Sequence, residues 1–159
     1  MVTVKPFRGY LANINLAQKL IAPPYDVINT AEARKMAAGN QYSFLNVNKP
    51  EITLPEDTNP YDRVVYDTGR KNLLDFISNG WLERDNQARF YIYSQVMQGR
   101  EQIGLVSASS VADYENNLIK KHERTLEKKE KDRTMLTDIQ GANVGPVFLT
   151  YRSQENTSI

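Results

Sequence analysis

The sequence predicts an α+β fold: a mixed or antiparallel sheet with a central hairpin and flanking helices. Apolar residues recur at helical spacing over residues 60–79 and 126–140, and the period changes to two over residues 90–111. The helical segments and the hairpin follow one another as blocks, whereas a parallel sheet needs strands that alternate regularly with helices. Helices packed against an antiparallel unit are therefore the expected framework.

Short elements are predicted for the first thirty residues. Residues 2–10 alternate briefly and contain Pro6 and Gly9, which indicates a short edge strand that runs into a loop. Residues 16–21 are predicted to form one or two helical turns. The next segment, 22–28, cannot be helical, because its adjacent prolines fix two φ angles and bias the chain toward extended geometry.

A capped helix and a buried strand are predicted next. Asn29 is a good N-cap with Glu32 three residues later, and the alanine-rich sequence that follows runs to Ala38 before the stop signal Gly39. Residues 42–47, Tyr-Ser-Phe-Leu-Asn-Val, have the composition of a buried strand.

The helix over residues 60–79 has the clearest signals. Asn59 precedes a proline at the first helical position, and the Asn-Gly dipeptide at 79–80 ends the element. Trp81 and Leu82 are expected to fold back onto its apolar stripe. The residues of that stripe are Tyr61, Val65, Gly69, Leu73 and Phe76 or Ile77.

The hairpin is predicted to lie inside the sheet. Its strands are residues 89–97 and 102–111, and both faces of the first strand carry apolar or aromatic residues. Because both faces are apolar, we expect both to be covered. A helix over residues 126–140, ended by Gly141, and a strand over residues 146–152 complete the prediction.

Composition bounds the class of protein. With 159 residues, 40% hydrophobic and 25% charged, we expect one globular domain over residues 1–152 and a polar tail over 153–159. A formal net charge of +1 gives no indication that the chain binds nucleic acid or a membrane. The absence of cysteine excludes disulfides and thiol nucleophiles. No apolar run approaches the ~20 residues of a membrane span, so we expect a soluble, cytoplasmic protein.

Most of the potential chemistry lies in residues 119–133. A proton-transfer group stands beside a carboxylate there, among cations that could neutralise an anion such as phosphate. The residues with this potential are Lys121, His122, Glu123, Arg124, Asp132 and Arg133. The alternative is a solvated helix surface laced with i,i+4 ion pairs such as Glu127 with Lys131. The residues alone leave both interpretations open.

A second candidate is the Pro-Pro-Tyr-Asp segment at residues 23–26. Asp26 could simply bond the backbone of a rigid turn, with Tyr25 packed beside it. Alternatively, the prolines hold Tyr25 and Asp26 against a ligand pocket. Tyr91 and Tyr93 have no basic surround, so we interpret them as core residues rather than a base-stacking platform. The chain contains no GxxxxGK[ST], GxGxxG or HExxH motif.

Several segments together resemble one family, the domain-of-unknown-function 1015 proteins, which are also described as relatives of the ParB partition proteins. The segments occur in family order and span nearly the whole chain. They are 4-VKPFRGY-10, 22-APPYDVI-28, 43-SFLNVNKP-50, 59-NPY-61, 118-LIKKHERT-125, 130-EKDR-133 and 145-GPVFLTYR-152.

The resemblance implies that this sequence is the amino-terminal portion of a longer protein. Family members are typically more than twice this length, and their Asp-Gly-His-His-Arg run lies beyond the point where this sequence stops. That run is shared with small-molecule serine kinases of the ParB/sulfiredoxin-like group, and some family members phosphorylate free serine with pyrophosphate. The implied activity is a phosphotransferase, with this portion inactive alone.

The resemblance also implies roles for individual residues. Glu123, beside His122, would be the base for a substrate hydroxyl. Phosphate oxygens would be contacted by Arg124, Arg133 and Lys121. Asp132 would hold Mg²⁺ or orient Arg133. The ligand-pocket alternative described above for Tyr25 and Asp26 makes these two residues the candidates for substrate binding. Phosphoryl transfer depends on charge neutralisation and positioning, which suits these residue types.

Two other classes of function stay open at this point. One is a ParB-like nucleic-acid-binding or regulatory module, against which the near-zero net charge argues. The other is a structural or dimerisation domain. The expected partners are a phosphoanion, a small hydroxy amino acid and the carboxy-terminal half of the same protein, and a homodimer is a further alternative.

Overall fold

The computed structural model describes residues 2–121 and 126–151, and these form helices and small antiparallel sheets, so the α+β prediction is confirmed. The helices are α1 (Ala17–Leu20), α2 (Thr30–Ala37), α3 (Leu45–Asn48), α4 (Arg63–Ser78), α5 (Val111–Glu115) and α6 (Glu127–Gln140), with a 3₁₀ turn at Pro50–Thr53. The strands are β1 (Val4–Lys5), β2 (Tyr10–Ala12), β3 (Leu82–Arg84), β4 (Tyr91–Met97), β5 (Arg100–Val106) and β6 (Ala108–Ser109).

Local signals set the ends of the helices. The Asn29 side chain accepts from the Glu32 N–H at 2.9 Å while the Glu32 carboxylate accepts from the Asn29 N–H at 2.8 Å, which is a capping box for α2. Gly141 ends α6 in the left-handed region, with φ 68°. The start of α4 was predicted three residues too early. Asn59 instead makes a turn, accepting from the Tyr61 N–H at 3.1 Å, and the helix begins after it.

The main core forms where α4 meets its neighbours. Leu73 and Phe76 are 5% and 2% exposed, and they pack with the side chains of α1, α3 and β3. The ring of Trp81 lies 4.9 Å from that of Phe76, centre to centre, so the predicted fold-back of residues 81–82 is confirmed. A second cluster joins α2 to α3 and the 3₁₀ turn. The buried residues of the two clusters are Leu20, Val47, Leu73, Phe76 and Leu82, and Ala33, Leu45 and Ile52.

The predicted strand over residues 42–47 is wrong, because the chain forms the single helical turn α3 there. Three successive carbonyl groups of this turn accept hydrogen bonds from side chains of α4 and α6. Asn72 donates to the carbonyl of Asn46 at 2.7 Å, and Gln140 donates to that of Val47 at 2.8 Å. Arg133 donates to that of Asn48 at 3.3 Å. These donors satisfy the carbonyl groups that a helix end leaves unpaired, so no strand partner is needed.

Three stretches of extended chain pair with one another two at a time. In the first stretch, β1 pairs with β6 and β2 pairs with β3. The other two stretches pair with each other, through β4 and β5. Since β3 and β4 lie in one stretch and β5 and β6 in another, three two-stranded ribbons diverge from a common junction. A bridge between Phe7 and Arg89 lies at that junction.

The hydroxyl of Tyr91 links two of the three stretches at the junction, the one with β1 and β2 and the one with β3 and β4. It accepts from the Gly9 N–H at 2.8 Å and lies 3.2 Å from the Phe7 carbonyl oxygen and 3.3 Å from Oδ2 of Asp85. A Cβ at Gly9 would lie 3.1 Å from this hydroxyl, so glycine is what allows the approach. The backbone N–H of Gln87, and after it the Arg89 side chain, hold the pKa of Asp85 below its usual value.

Two further predictions are wrong. The hairpin formed by β4 and β5 is a separate two-stranded sheet rather than the centre of a larger one, and both of its faces are exposed. Residues 146–151, predicted as strand, have no regular structure, and Phe148 is 74% exposed. Within the described ranges, no strand pairs with these residues. No helix among the described residues has the length and apolar character needed to cross a membrane.

Candidate functional site

The candidate functional site in the described part of the chain is a group of interacting charged and polar side chains centred on Arg133 of α6. Its Nε and Nη2 atoms donate to Oδ2 of the preceding residue, Asp132, at 2.9 and 2.6 Å. Its Nη1 atom donates to the carbonyl of Asn48 at 3.3 Å. The side chain is 30% exposed, so the guanidinium group is fixed and still reachable from solvent.

Tyr25 supplies one face of the site. Its ring centre lies 4.2 Å from the central carbon of the Arg133 guanidinium, a close cation–π contact. Pro23 and Pro24 precede it and restrict the backbone, which limits the positions its ring can take. The structure thus brings together two residues, 108 positions apart in the sequence, that were predicted as site residues for different reasons.

Tyr66 holds the other oxygen of Asp132. Its hydroxyl donates to Oδ1 at 2.9 Å, and the side chain is only 4% exposed. Burial first, then the hydrogen bond and the negative charge of Asp132, raise the pKa of Tyr66 to about 12. The Asp132 carboxylate is therefore fixed from both sides, and it orients Arg133.

Sequence reasoning missed Tyr66 and Asn48. The available signal for Tyr66 was its place beside Val65 on the buried face of a helix, since a buried tyrosine hydroxyl usually has a polar partner. For Asn48 no such signal existed, because its part in the site depends on the α3 turn that was predicted as a strand.

The geometry leaves part of the guanidinium available. Arginine has five N–H donors, and three of them are used in the bonds to Asp132 and Asn48. The remaining two have no partner within residues 2–121 and 126–151. A fixed planar guanidinium group with two free N–H donors is suited to oxygens of carboxylate or phosphate groups.

Comparison with protein families identifies the chain. The model of the family described as "Protein of unknown function (DUF1015)" matches residues 4–159. The chain belongs to the DUF1015 family. Comparison with curated proteins and with solved structures gives no match.

Of the other predicted site residues of this DUF1015 chain, some are described but make no hydrogen bond or ion pair with Arg133, and the others lie outside the described residues. His122, Glu123 and Arg124 belong to the second group. Asp26 is exposed in a turn next to Tyr25. Lys121 is exposed, and its ammonium group lies 4.8 Å from the ring centre of Tyr114.

A metal role for Asp132 stays a prediction. Mg²⁺ is usually held by one or two carboxylates together with substrate phosphates. In the described part of the DUF1015 chain, no three acidic or histidine side chains come together as a potential metal site. Both oxygens of Asp132 already accept hydrogen bonds, which fits the orienting role better than that of a metal ligand.

Proposed function

We propose that this chain supplies the anion-binding part of a phosphotransferase site that acts on a small hydroxy amino acid, with pyrophosphate as the donor. The observation that carries the proposal is the Arg133 guanidinium, which lies against the ring of Tyr25 at 4.2 Å and is held by Asp132 with two N–H groups left over. Phosphoryl transfer needs such a fixed cation more than it needs covalent chemistry by the protein.

The fixed position of the Arg133 guanidinium supports the proposed anion site. Holding the guanidinium at one carboxylate, one carbonyl group and one aromatic face lowers the side-chain entropy lost when an anion binds. The Asp132 carboxylate is bonded to both Tyr66 and Arg133, so it would hold the Arg133 guanidinium in place through a reaction cycle.

Charge limits the affinity. Asp132 compensates most of the Arg133 charge, since the two side chains lie 2.6 Å apart. With one partly neutralised guanidinium we expect a dissociation constant on the order of 1 mM, equivalent to about 4 kcal/mol of binding free energy. In this proposal Arg124 and Lys121 supply further positive charge, and Glu123 accepts the proton of the substrate hydroxyl.

Calorimetric titration with phosphate and pyrophosphate at fixed ionic strength tests the anion site. We expect wild type to bind pyrophosphate and Arg133→Ala to lose at least five-fold in affinity. Arg70→Ala is the matched control, because Arg70 also ties α4 to α6 through a backbone carbonyl, that of Ile139 at 2.8 Å. Equal binding by wild type and Arg133→Ala would remove the basis of the proposal.

Catalysis by this chain alone is expected to be absent. If the remaining catalytic groups lie in the carboxy-terminal half, removing them abolishes most of the rate, because groups that act as a unit are strongly non-additive. Phosphoserine formation from serine with pyrophosphate, ATP or ADP should therefore require the longer protein. Turnover by residues 1–159 alone would contradict the division of the site between two halves.

A further inference from the structure

Two arginines at the junction of the ribbons are anchored on the same residue, Asp85. Nε of Arg8 donates to the backbone carbonyl of Asp85 at 2.9 Å, and Nε of Arg89 donates to its Oδ1 atom at 3.1 Å. Covalent geometry keeps the two Asp85 oxygens within ~5 Å of each other, so the two Nε atoms lie at most about 11 Å apart. Neither arginine takes part in the Arg133 site.

The backbone around both arginines is fixed as well. Arg89 exchanges two backbone hydrogen bonds with Phe7, at 2.9 and 3.0 Å. The N–H of Gly9 donates to the Tyr91 hydroxyl at 2.8 Å. Both chain neighbours of Arg8 are therefore held, and so is the backbone of Arg89. Less conformational entropy is lost when a ligand binds to side chains that are positioned in this way.

Most of the N–H groups of the two guanidinium groups are free. Arginine has five N–H donors, and Arg8 and Arg89 each use only the one on Nε in the bond to Asp85. Among the residues that the structure describes, their Nη groups have no hydrogen-bond partner. Arg8 is exposed, and the side chain of Arg89 is 53% exposed. Paired Nη groups bind the oxygens of carboxylate or phosphate groups in a bidentate fashion.

The charge of Asp85 indicates how a ligand would bind. The backbone N–H of Gln87 is the largest cause that holds the pKa of the Asp85 carboxyl below its usual value, so this group is ionised at neutral pH. It offsets only one of the two guanidinium charges. A single small anion that touched both arginines would also lie close to the Asp85 carboxylate, which would repel it. Two acidic groups, one on the Nη groups of each arginine, reduce that repulsion.

We propose that Arg8 and Arg89 form a second anion site, which binds a small ligand with two acidic groups, carboxylate or phosphate, one on each guanidinium. The site shares no residue with the Arg133 site and does not rest on the proposed function. Arg84 provides a matched control. It is exposed and directly precedes Asp85 in the chain, but its guanidinium contacts the ring of Tyr10, 5.8 Å from the ring centre, and makes no hydrogen bond or ion pair with Asp85.

NMR titrations of the arginine Nε–Hε signals with acetate, glutarate and pyrophosphate at constant ionic strength test the site. We expect glutarate to shift the Arg8 and Arg89 signals along one saturation curve while Arg84 stays unchanged. Glutarate should bind at least about five-fold more tightly than acetate, because its second carboxylate binds in an intramolecular step. Pyrophosphate distinguishes the two kinds of acidic group: tighter binding than glutarate at this pair identifies phosphate.

Variants show whether the two arginines act together. Arg8→Gln and Arg89→Gln should each reduce the glutarate affinity to that of acetate, whereas Arg84→Gln should leave it unchanged. The amide signal of Gly9 reports whether the junction is intact. If Arg8→Gln disturbs it, Arg89→Lys keeps the charge without the paired Nη groups and should still lose the preference for glutarate over acetate.

Three results would overturn the second site. They are glutarate binding no more tightly than acetate, separate saturation curves for Arg8 and Arg89, and unchanged glutarate affinity in variants whose Gly9 signal shows an intact junction. Because each arginine gives its own signal, a response confined to Arg133 also overturns the second site and leaves the proposed function intact.

Discussion

The hydroxyl of Tyr66 donates to Oδ1 of Asp132 at 2.9 Å, and this hydrogen bond joins α4 to α6 at the residue that precedes Arg133. The other carboxylate oxygen of Asp132 accepts from the guanidinium. The orientation of Arg133, a surface-accessible cation, thus depends on a buried tyrosine that lies 66 positions before Asp132 in the chain. A helix–helix contact and the candidate site are parts of one hydrogen-bonded arrangement.

Alkaline pH should weaken this arrangement through Tyr66. Its pKa rises from 10.0 to about 12 in the folded protein, so the folded state holds the phenol proton more tightly than the unfolded state. The stabilisation is complete below pH 10 and is lost as pH rises through 12. A pKa difference of this size corresponds to roughly 2–3 kcal/mol.

Urea unfolding between pH 9 and 12 checks this prediction. The free energy of unfolding of wild type should fall toward that of Tyr66→Phe across this range, and at pH 7 the variant should be less stable by about 1–3 kcal/mol. Tyr114→Phe, at a half-exposed tyrosine, controls for loss of a phenol. Parallel pH profiles for wild type and Tyr66→Phe would contradict the account.

Close packing at Gly69 should make a single methyl group destabilising. A Cβ at Gly69 would lie 2.9 Å from Nε2 of Gln140, 3.0 Å from Cγ of Pro50 and 3.2 Å from Cδ1 of Leu136. Alanine favours a helix by about 1 kcal/mol over glycine, but overpacking costs about 1–3 kcal/mol. We expect Gly69→Ala to lower the melting temperature. Gly145→Ala, which meets no atom within 4 Å, is the matched control.

Truncating the core side chains of α4 should have a larger effect. Leu73→Ala and Phe76→Ala should each lower the free energy of unfolding by roughly 2–5 kcal/mol, because both side chains are almost fully buried. Leu74, the next residue on the same helix, is 51% exposed, so Leu74→Ala should cost much less. Chemical denaturation compares the three variants, and equal losses would argue against the observed helix orientation.

The Tyr91 hydroxyl should stabilise the junction of the three ribbons. Tyr91→Phe leaves the Gly9 N–H without its 2.8 Å acceptor, at a cost of about 1–2 kcal/mol. Tyr93→Phe, two residues along the same strand and 56% exposed, should be near neutral. Amide hydrogen exchange at Gly9 gives the local readout, and protection that is unchanged in Tyr91→Phe would show that another group holds the junction.

The sequence predicted best the elements whose causes are local. The capping box of α2 needs only Asn29 and Glu32, three residues apart. The α3 turn could not be predicted in this way, because its carbonyl groups are satisfied by Asn72, Gln140 and Arg133, far along the chain. The alternating apolar residues of the hairpin predicted that other elements pack on both of its faces. The pattern alone does not show whether such elements are there.

The same distinction between local causes and long-range contacts applies to the candidate site. Residue types and spacing indicated Tyr25, Asp132 and Arg133, since prolines and clustered charges are visible in a sequence. Their contact could not be predicted, because it depends on how α6 packs against α4 and α3. Tyr66 was counted only as part of a helix, and its bond to Asp132 follows from the same packing.

The most direct measurement of the central claim is an NMR titration that follows the arginine Nε–Hε signals as pyrophosphate is added at constant ionic strength. We expect a saturable shift of the Arg133 signal together with the ring protons of Tyr25, while the signal of Arg70 stays within the change caused by added salt. A uniform small shift of all arginine signals, or saturation at another arginine with Arg133 unmoved, would contradict the assignment of this site as an anion site.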